Sequence, residues 1–207
     1  AFLELCSRAG VRVAVPDGIG EMCCGTPWKS KGMVAGHEAM SDRVAPWAWE
    51  ATRHGSLPLV CDATSCTEGL EGMLGAVESA HGVRIDVVDA VQFVADRVLP
   101  SLVVSHRLTS IALHPTCSST RMTVNADLLV LARAIADEAV VPEGWGCCAF
   151  AGERGRPHRE VGAGARPGGG VGGRASDRRP SATAGQRRPP AATDDTAAAA
   201  AIGPGLS

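Results

Sequence analysis

The stretch LPLVCDATSCTEGLEGMLGAV, residues 57–77, changes its periodicity partway through. LPLVC (57–61) is a short apolar run with the length and flanks of a buried strand. The polar turn DATSC follows, and then Leu70, Leu74 and Val77 recur at the spacing of one helical face, predicting a helix over about 67–80. A buried strand that turns directly into an amphipathic helix is the unit of an α/β layer. Cys61 ends the strand and Cys66 lies at the turn, where open α/β sheets gather their ligands.

Working outward, the same alternation repeats. VRVAV (11–15) reads as a strand leading through a Gly-rich turn to Cys23 and Cys24. A helical stretch spans about 34–54, with Pro46 expected to break or kink it. VRIDVV (83–88) is a third strand and DAVQFVADRVL a helix capped by Asp89. SIALH (110–114) is a fourth strand ending at the loop PTCSSTRM, and ADLLVLARAIADEA is a long helix that Thr123 or Asn125 starts. The expected fold class is α/β, with two similar strand–helix units, a mostly parallel sheet and cysteine loops at strand ends.

The 207 residues divide unevenly. Residues 1–155 hold 12 Lys+Arg against 18 Asp+Glu, a net charge of −6. Residues 156–207 hold eight Arg and four acids, a net of +4, and their only large apolar residues are Val161, Val171, Ile202 and Leu206. So little apolar surface cannot offset the entropy of ordering, which predicts a low-complexity disordered tail. Its arginines are scattered among Gly and Pro without aromatics for base stacking, and the body is acidic, so nucleic acid is not an expected partner. No apolar run approaches the ~20 residues of a membrane span. The opening AFLELCSRAG carries no signal peptide and reads as the end of a helix already under way, which predicts a fragment.

All eight cysteines fall within the first 148 residues of a mid-sized α/β body, a setting that favours metal or redox work over a disulfide framework. An internal repeat appears when they are aligned: EMCCGTP (21–27) echoes WGCCAFAG (145–152), and LVCDATSC (59–66) echoes ALHPTC (112–117). Thiolates suit iron–sulfur clusters, zinc or copper(I). Gly25 and Ala149 after each pair let backbone come close to a bulky group. Zinc is the rival reading, although structural zinc favours short knuckles, which only Cys61 and Cys66 approach. A thioredoxin-type enzyme is disfavoured, since no CxxC opens a helix. Cys6 reads as a buried small hydrophobe. His114 beside Cys117 reads first as a core or turn residue and second as a ligand. His37, His54, His81, His106 and His158 read as surface residues. Lys29, Lys31 and Arg121 flank cysteine loops and could offset cluster charge, Arg121 equally well being a solvated loop residue. Trp28 and Trp145 would shield the loops or belong to the core.

Together, CCGTPWKSKG, CDATSCTEGL, LHPTCSSTRM and GCCAFAGERG make residues 1 to about 155 resemble the cysteine-rich CCG domain. That domain occurs as tandem repeats in heterodisulfide reductases and in the iron–sulfur components of glycolate and lactate oxidation. The closer likeness is to the C-terminal end of bacterial FAD- and Fe–S-containing D-lactate dehydrogenases. The resemblance implies an iron–sulfur cluster of the [4Fe–4S] type, with FAD in a part N-terminal to this chain. It implies a domain that takes electrons from flavin and ferredoxin-like domains and passes them to a quinone or cytochrome acceptor. It implies no catalytic residue here, and a location in the cytoplasm or peripherally at the inner face of the cell membrane. By motif position, Cys23, Cys24, Cys61 and Cys66 belong to the first unit and Cys117, Cys147 and Cys148 to the second, with Gly25 and Arg121 as cofactor-side residues. The C-x4-C of Cys61 and Cys66 departs from the CxxC of the heterodisulfide-reductase pattern; either could be the ligand, and Cys66 is favoured because it aligns with Cys117. A structural zinc-binding interaction module and a protein of the heterodisulfide-reductase type remain the alternatives. No cysteine follows Cys148, and the Arg, Gly, Ala and Pro beyond Gly155 are what a GC-rich gene yields when read out of frame, so a frameshifted tail is expected.

Overall fold

The computed structural model describes residues 1–146 and the backbone of residues 199–202. In chain order the elements are α1 (Phe2–Arg8), β1 (Val13–Ala14), α2 (Thr26–Ser30), α3 (Val34–Ala51), β2 (Leu59–Cys61), α4 (Thr64–His81), β3 (Val87–Asp89), α5 (Ala90–Phe93), β4 (Leu108–Ala112), α6 (Cys117–Arg121), α7 (Asn125–Ile135), β5 (Ala136–Val140) and β6 (Ala199–Ile202). Every strand pairing among them is parallel. One sheet runs β1-β6-β2-β3 and a second pairs β4 with β5. This is the α/β class that the alternating strands and helices predict.

The fold is organised around β2. All three of its residues are buried, and its alternation sends Leu59 and Cys61 to one core and Val60 to the other. On the first side, Leu70, Met73, Leu74 and Val77 of α4 meet Val44 and Ala48 of α3. On the second, Val60 packs with Cys6 of α1, Phe93 of α5 and Val98. Helices on both faces explain why β2 is apolar throughout instead of alternating with polar residues. The Cys6 thiol is fully buried, and burial pushes it up from the ordinary thiol range, as expected of a small core hydrophobe.

Parallel pairing of β2 with β3 sets Cys61 opposite Asp89. Asp89 caps α5 by accepting the Val91 backbone N–H at 2.8 Å, and its second carboxylate oxygen accepts from the Thr67 hydroxyl at 3.2 Å. One buried carboxylate thus ties the start of α5 to the first turns of α4. The cap on Asp89 agrees with the sequence reading.

Two helix expectations need correction. Pro46 lies inside α3, which runs from Val34 to Ala51, so the proline does not break the helix. Burial of Val44 and Ala48 on the face of α3 toward α4 holds the helix through the position whose backbone donor proline removes. ADLLVLARAIADEA is not one helix: α7 stops at Ile135 and ADEAV becomes β5, paired with β4. Arg107 provides the stop. Its guanidinium donates to the carbonyls of Ala134 at 2.8 Å and Arg133 at 3.0 Å, contacts that of Ala136, and pairs with Asp137 at 2.8 Å. The orphan carbonyls at the end of α7 are thereby satisfied, and the chain is released into the strand.

β6 comes from the stretch whose composition predicts no order. Ala199–Ile202 lies between β1 and β2, with Val13 opposite Ala199 and Leu59 opposite Ala200. It falls within the run AAAAAI, which is free of the Arg, Gly and Pro that fill the rest of the tail. The other residues of the expected tail, 156–198 and 203–207, lie outside the described residues. Among the described residues no helix is long and apolar enough to cross a membrane.

Replacing Asp89 with Ala should remove the α5 cap and leave the buried Thr67 hydroxyl without its carboxylate. The expected loss is about 1–3 kcal/mol of stability, read as a lower urea midpoint at unchanged slope. An unaltered midpoint would show that the Thr67–Asp89 tie does not hold α4 in place.

Candidate functional site

The cysteine pair enters from a 3-10 turn at Ile19–Glu21 and ends at Gly25, which precedes α2. Gly25 has a φ of 74°, a left-handed conformation that costs side-chain-bearing residues. A Cβ there would also lie 2.5 Å from Met73 and 2.9 Å from the His37 ring. Both demands select glycine after the pair, and they turn the chain so that Cys24 faces α4.

The receiving surface on α4 is equally specific. A Cβ on Gly69 would sit 2.6 Å from the Cys24 carbonyl oxygen, 3.2 Å from Cys24 Cβ and 2.4 Å from the Thr26 hydroxyl. The helix is bare at that position, so the cysteine loop lies directly on its backbone. The Thr26 hydroxyl bridges the two segments, 3.4 Å from Cys24 Sγ and 3.1 Å from the Ser65 carbonyl oxygen. The Cys24 and Cys66 thiols hydrogen-bond to each other, and Cys23 also reaches Cys24.

These contacts divide the thiols electrostatically. The hydrogen bond from Cys66 holds Cys24 well below the ordinary thiol range, to about 5, against the opposing effect of burial; Thr26 and Cys23 add to the lowering. Cys66, donating that bond and partly buried beside the Cys24 charge, is pushed up. Cys61 is fully buried, and desolvation raises it to about 12 despite hydrogen bonds with Thr67 and the Ala63 backbone.

The structure places the sequence candidates unevenly. Cys23, Cys24 and Cys66 come together at the carboxyl end of β2, while Cys61 points into the core between α3 and α4. None of these four, nor Cys6 or Cys117, is in a disulfide. Cys117 opens α6 and is exposed, behind a capping box made by Thr116 and Ser119. Arg121 pairs with Glu68 of α4 at 2.7 Å, so it ties α6 to the helix that carries Cys66. Cys147, Cys148 and Ala149 lie outside the described residues. His114 is exposed and meets Trp145 edge-on at 6.2 Å. Trp28 packs over Gly36 of α3, with its ring N–H buried and without a hydrogen-bond partner. Lys29 reaches across to α4 near Gly72.

Soft donors converging on one loop, with close backbone on both sides, fit a thiophilic metal or cluster. Among the described residues no three Cys, His, Asp or Glu side chains stand as a metal-ion shell; the thiols are engaged with one another instead. Gly69 and Thr26 escape a reading that looks only for metal-binding residue types. The signal that finds Gly69 is a glycine within a helical pattern, which marks close backbone approach.

A thiolate at Cys24 predicts a pH dependence of defined sign. Its folded value lies below the unfolded one, so the stability it contributes is complete above about pH 9 and is lost as pH falls toward about 5. Absorbance at 240 nm should show about one thiolate forming well below the ordinary thiol range. Replacing Cys66 with Ala should move that titration up toward the ordinary range, short of it by what Thr26 and Cys23 still lower. If Cys66→Ala leaves it unmoved, the Cys66 hydrogen bond is not its cause.

No protein-family model, no curated protein and no solved structure matches this chain.

Proposed function

We propose that this chain is an iron–sulfur electron-transfer domain and that its first cysteine unit holds a [4Fe–4S] cluster. The observation that carries the reading is the convergence of Cys24, Cys66 and Cys23 where a cysteine pair docks on the first turns of α4. Cys23, Cys24 and Cys66 would hold the group. Cys61, sealed in the core and bonded to Thr67, stays out of the set. When bound, the cluster supplies a one-electron relay. The chain's own residues orient the thiols, place the Thr26 N–H toward Cys24 sulfur and exclude water on the α3–α4 side.

The order and spacing of four motifs, which resemble the end of FAD-linked D-lactate dehydrogenases, support a place within a D-2-hydroxyacid dehydrogenase. There the flavin and ferredoxin-like domains would be the electron donors and a quinone or cytochrome the acceptor. Such a domain works in the cytoplasm or against the inner face of the cell membrane.

Anaerobic reconstitution with iron and sulfide should give a brown protein with visible absorption near 400 nm, on the order of that of protein-bound clusters, and an EPR signal on reduction. Cys24→Ser and Cys66→Ser should lower bound iron by about tenfold or more, whereas Cys61→Ser should retain it. A colourless chain that keeps stoichiometric zinc would establish a zinc module in place of the electron-transfer domain.

A further inference from the structure

The second sheet is left open in a way the first is not. Among the described residues β4 and β5 pair only with each other, whereas β2 has strands on both sides and helices on both faces. Parallel strands are ordinarily buried on both faces. Of the five residues of β4 only Ile111 is half-buried, and Leu108 keeps 51% of its surface. More than half of the exposed large hydrophobic residues lie between Val103 and Trp145, under a third of the described chain. The ladder also decides what the outer edge of β4 offers. Leu113 donates its backbone N–H to the Val140 carbonyl at 2.8 Å, and in a parallel ladder alternate residues bond to the same neighbour. Thr109, Ile111 and Leu113 therefore turn their backbone groups to β5, and Leu108, Ser110 and Ala112 turn theirs to the open edge. Sheets commonly blunt such an edge with charge or proline. LTSIA has neither, whereas β5 carries Asp137 and Glu138.

We propose that this chain associates with a second copy of itself through the outer edge of β4, in an antiparallel, two-fold symmetric pairing centred on Ser110. Ser110 exchanges both backbone hydrogen bonds with Ser110 of the second copy, and Leu108 does so with Ala112 of the second copy, because these are the residues whose N–H and C=O point outward. The result is one sheet of four strands in place of two marginal pairs. Side chains fit the same register. Leu108 meets the small Ala112, which leaves it room to reach Val140 on the adjoining strand of the second copy, a residue 42% exposed in the single chain. Thr109 meets Ile111, a β-branched cross-strand pair. Charge selects this edge over the other. Pairing two β5 edges about their middle residue would set Glu138 against its own copy, whereas pairing through β4 holds the two Glu138 side chains three strand spacings apart. That is about 14 Å, beyond the Debye length of about 8 Å in physiological salt. An edge of five residues buries less than the ~1,200 Å² of a stable interface, so the association is reversible and depends on concentration. It does not depend on what the cysteines bind.

The test uses the full chain under reducing conditions, so that no intermolecular disulfide contributes. Sedimentation equilibrium between about 1 µM and about 1 mM should show the mass rising from 21.2 kDa toward twice that value. Hydrogen exchange followed by mass spectrometry should show the amides of residues 108–112 slowing over the same range. This measurement needs no variant, so a substitution that fails to fold cannot obscure it. Ser110→Pro removes an N–H that β5 does not use, and the loss on both copies should weaken association at least about tenfold. Ser110→Asp should weaken it too by setting like charges opposite each other, with recovery in high salt. Glu138→Gln should leave it unchanged. A mass of one copy throughout overturns the proposal, whether residues 108–112 exchange freely or are already protected by another part of the chain. Association that survives both Ser110 variants, or that strengthens in Glu138→Gln, overturns the choice of the β4 edge.

Discussion

The contact on which the rest of the site depends is the seating of the Cys23–Cys24 loop on the bare backbone of α4 at Gly69. A methyl group at that position would meet the Cys24 carbonyl at 2.6 Å, and main chain cannot step aside as a flexible side chain can. Gly25 supplies the complementary freedom from the other side by turning the loop through a left-handed conformation. The two glycines work as a lock. One lets the loop approach, and the other aims Cys24 at α4. Mutual hydrogen bonding of Cys24 and Cys66 follows from that approach, and the thiolate at Cys24 follows from the hydrogen bond.

The sheet fixes where this lock forms. β2 ends at Cys61 and α4 begins at Thr64, so Cys66 is carried to the mouth of the strand by a turn with no slack. Asp89, opposite Cys61 on β3, accepts from Thr67 and prevents the first turns of α4 from sliding along the sheet. Thr67 is engaged with Cys61 as well, so one hydroxyl serves the strand-end thiol and the neighbouring strand's carboxylate. A short chain of polar contacts, from Asp89 through Thr67 to Cys61, therefore lies beneath the thiols that face outward. This separates two cysteines only five positions apart: Cys61 is sealed in the core, and Cys66 lies half-buried on α4.

Periodicity makes much of this visible in the bare sequence. A three-residue strand with helices on both sides must be apolar on both faces, and LPLVC announces that directly. The Asp89 cap is legible because capping is a local signal. What escapes depends on contacts distant in sequence. α3 runs through Pro46 because α4 packs on Val44 and Ala48, and nothing near Pro46 says so. α7 ends at Ile135 because Arg107, well upstream, fills its carbonyls; ADEAV has the composition of a helix and becomes a strand through its pairing with β4. Tertiary partners outweigh local preference in both places.

The site divides along the same line. Residue type and repeat point to seven cysteines; among the described residues Cys23, Cys24 and Cys66 lie together at one strand end, and Cys61 packs in the core. The preference for Cys66 over Cys61 rests, in sequence, on its alignment with Cys117. The physical reason is that side chains alternate along β2, sending residue 61 inward, whereas residue 66 has passed onto the helix. Cys117 and Arg121 show how the second unit meets the first. The Arg121–Glu68 ion pair is exposed and contributes little energy, about 0–1 kcal/mol. Its value is positional, because it brings the helix that opens with Cys117 beside the one that carries Cys66. A relay between two cysteine units would need that adjacency, and the backbone packing of α6 against α4 must maintain it, since so weak a pair cannot do so alone.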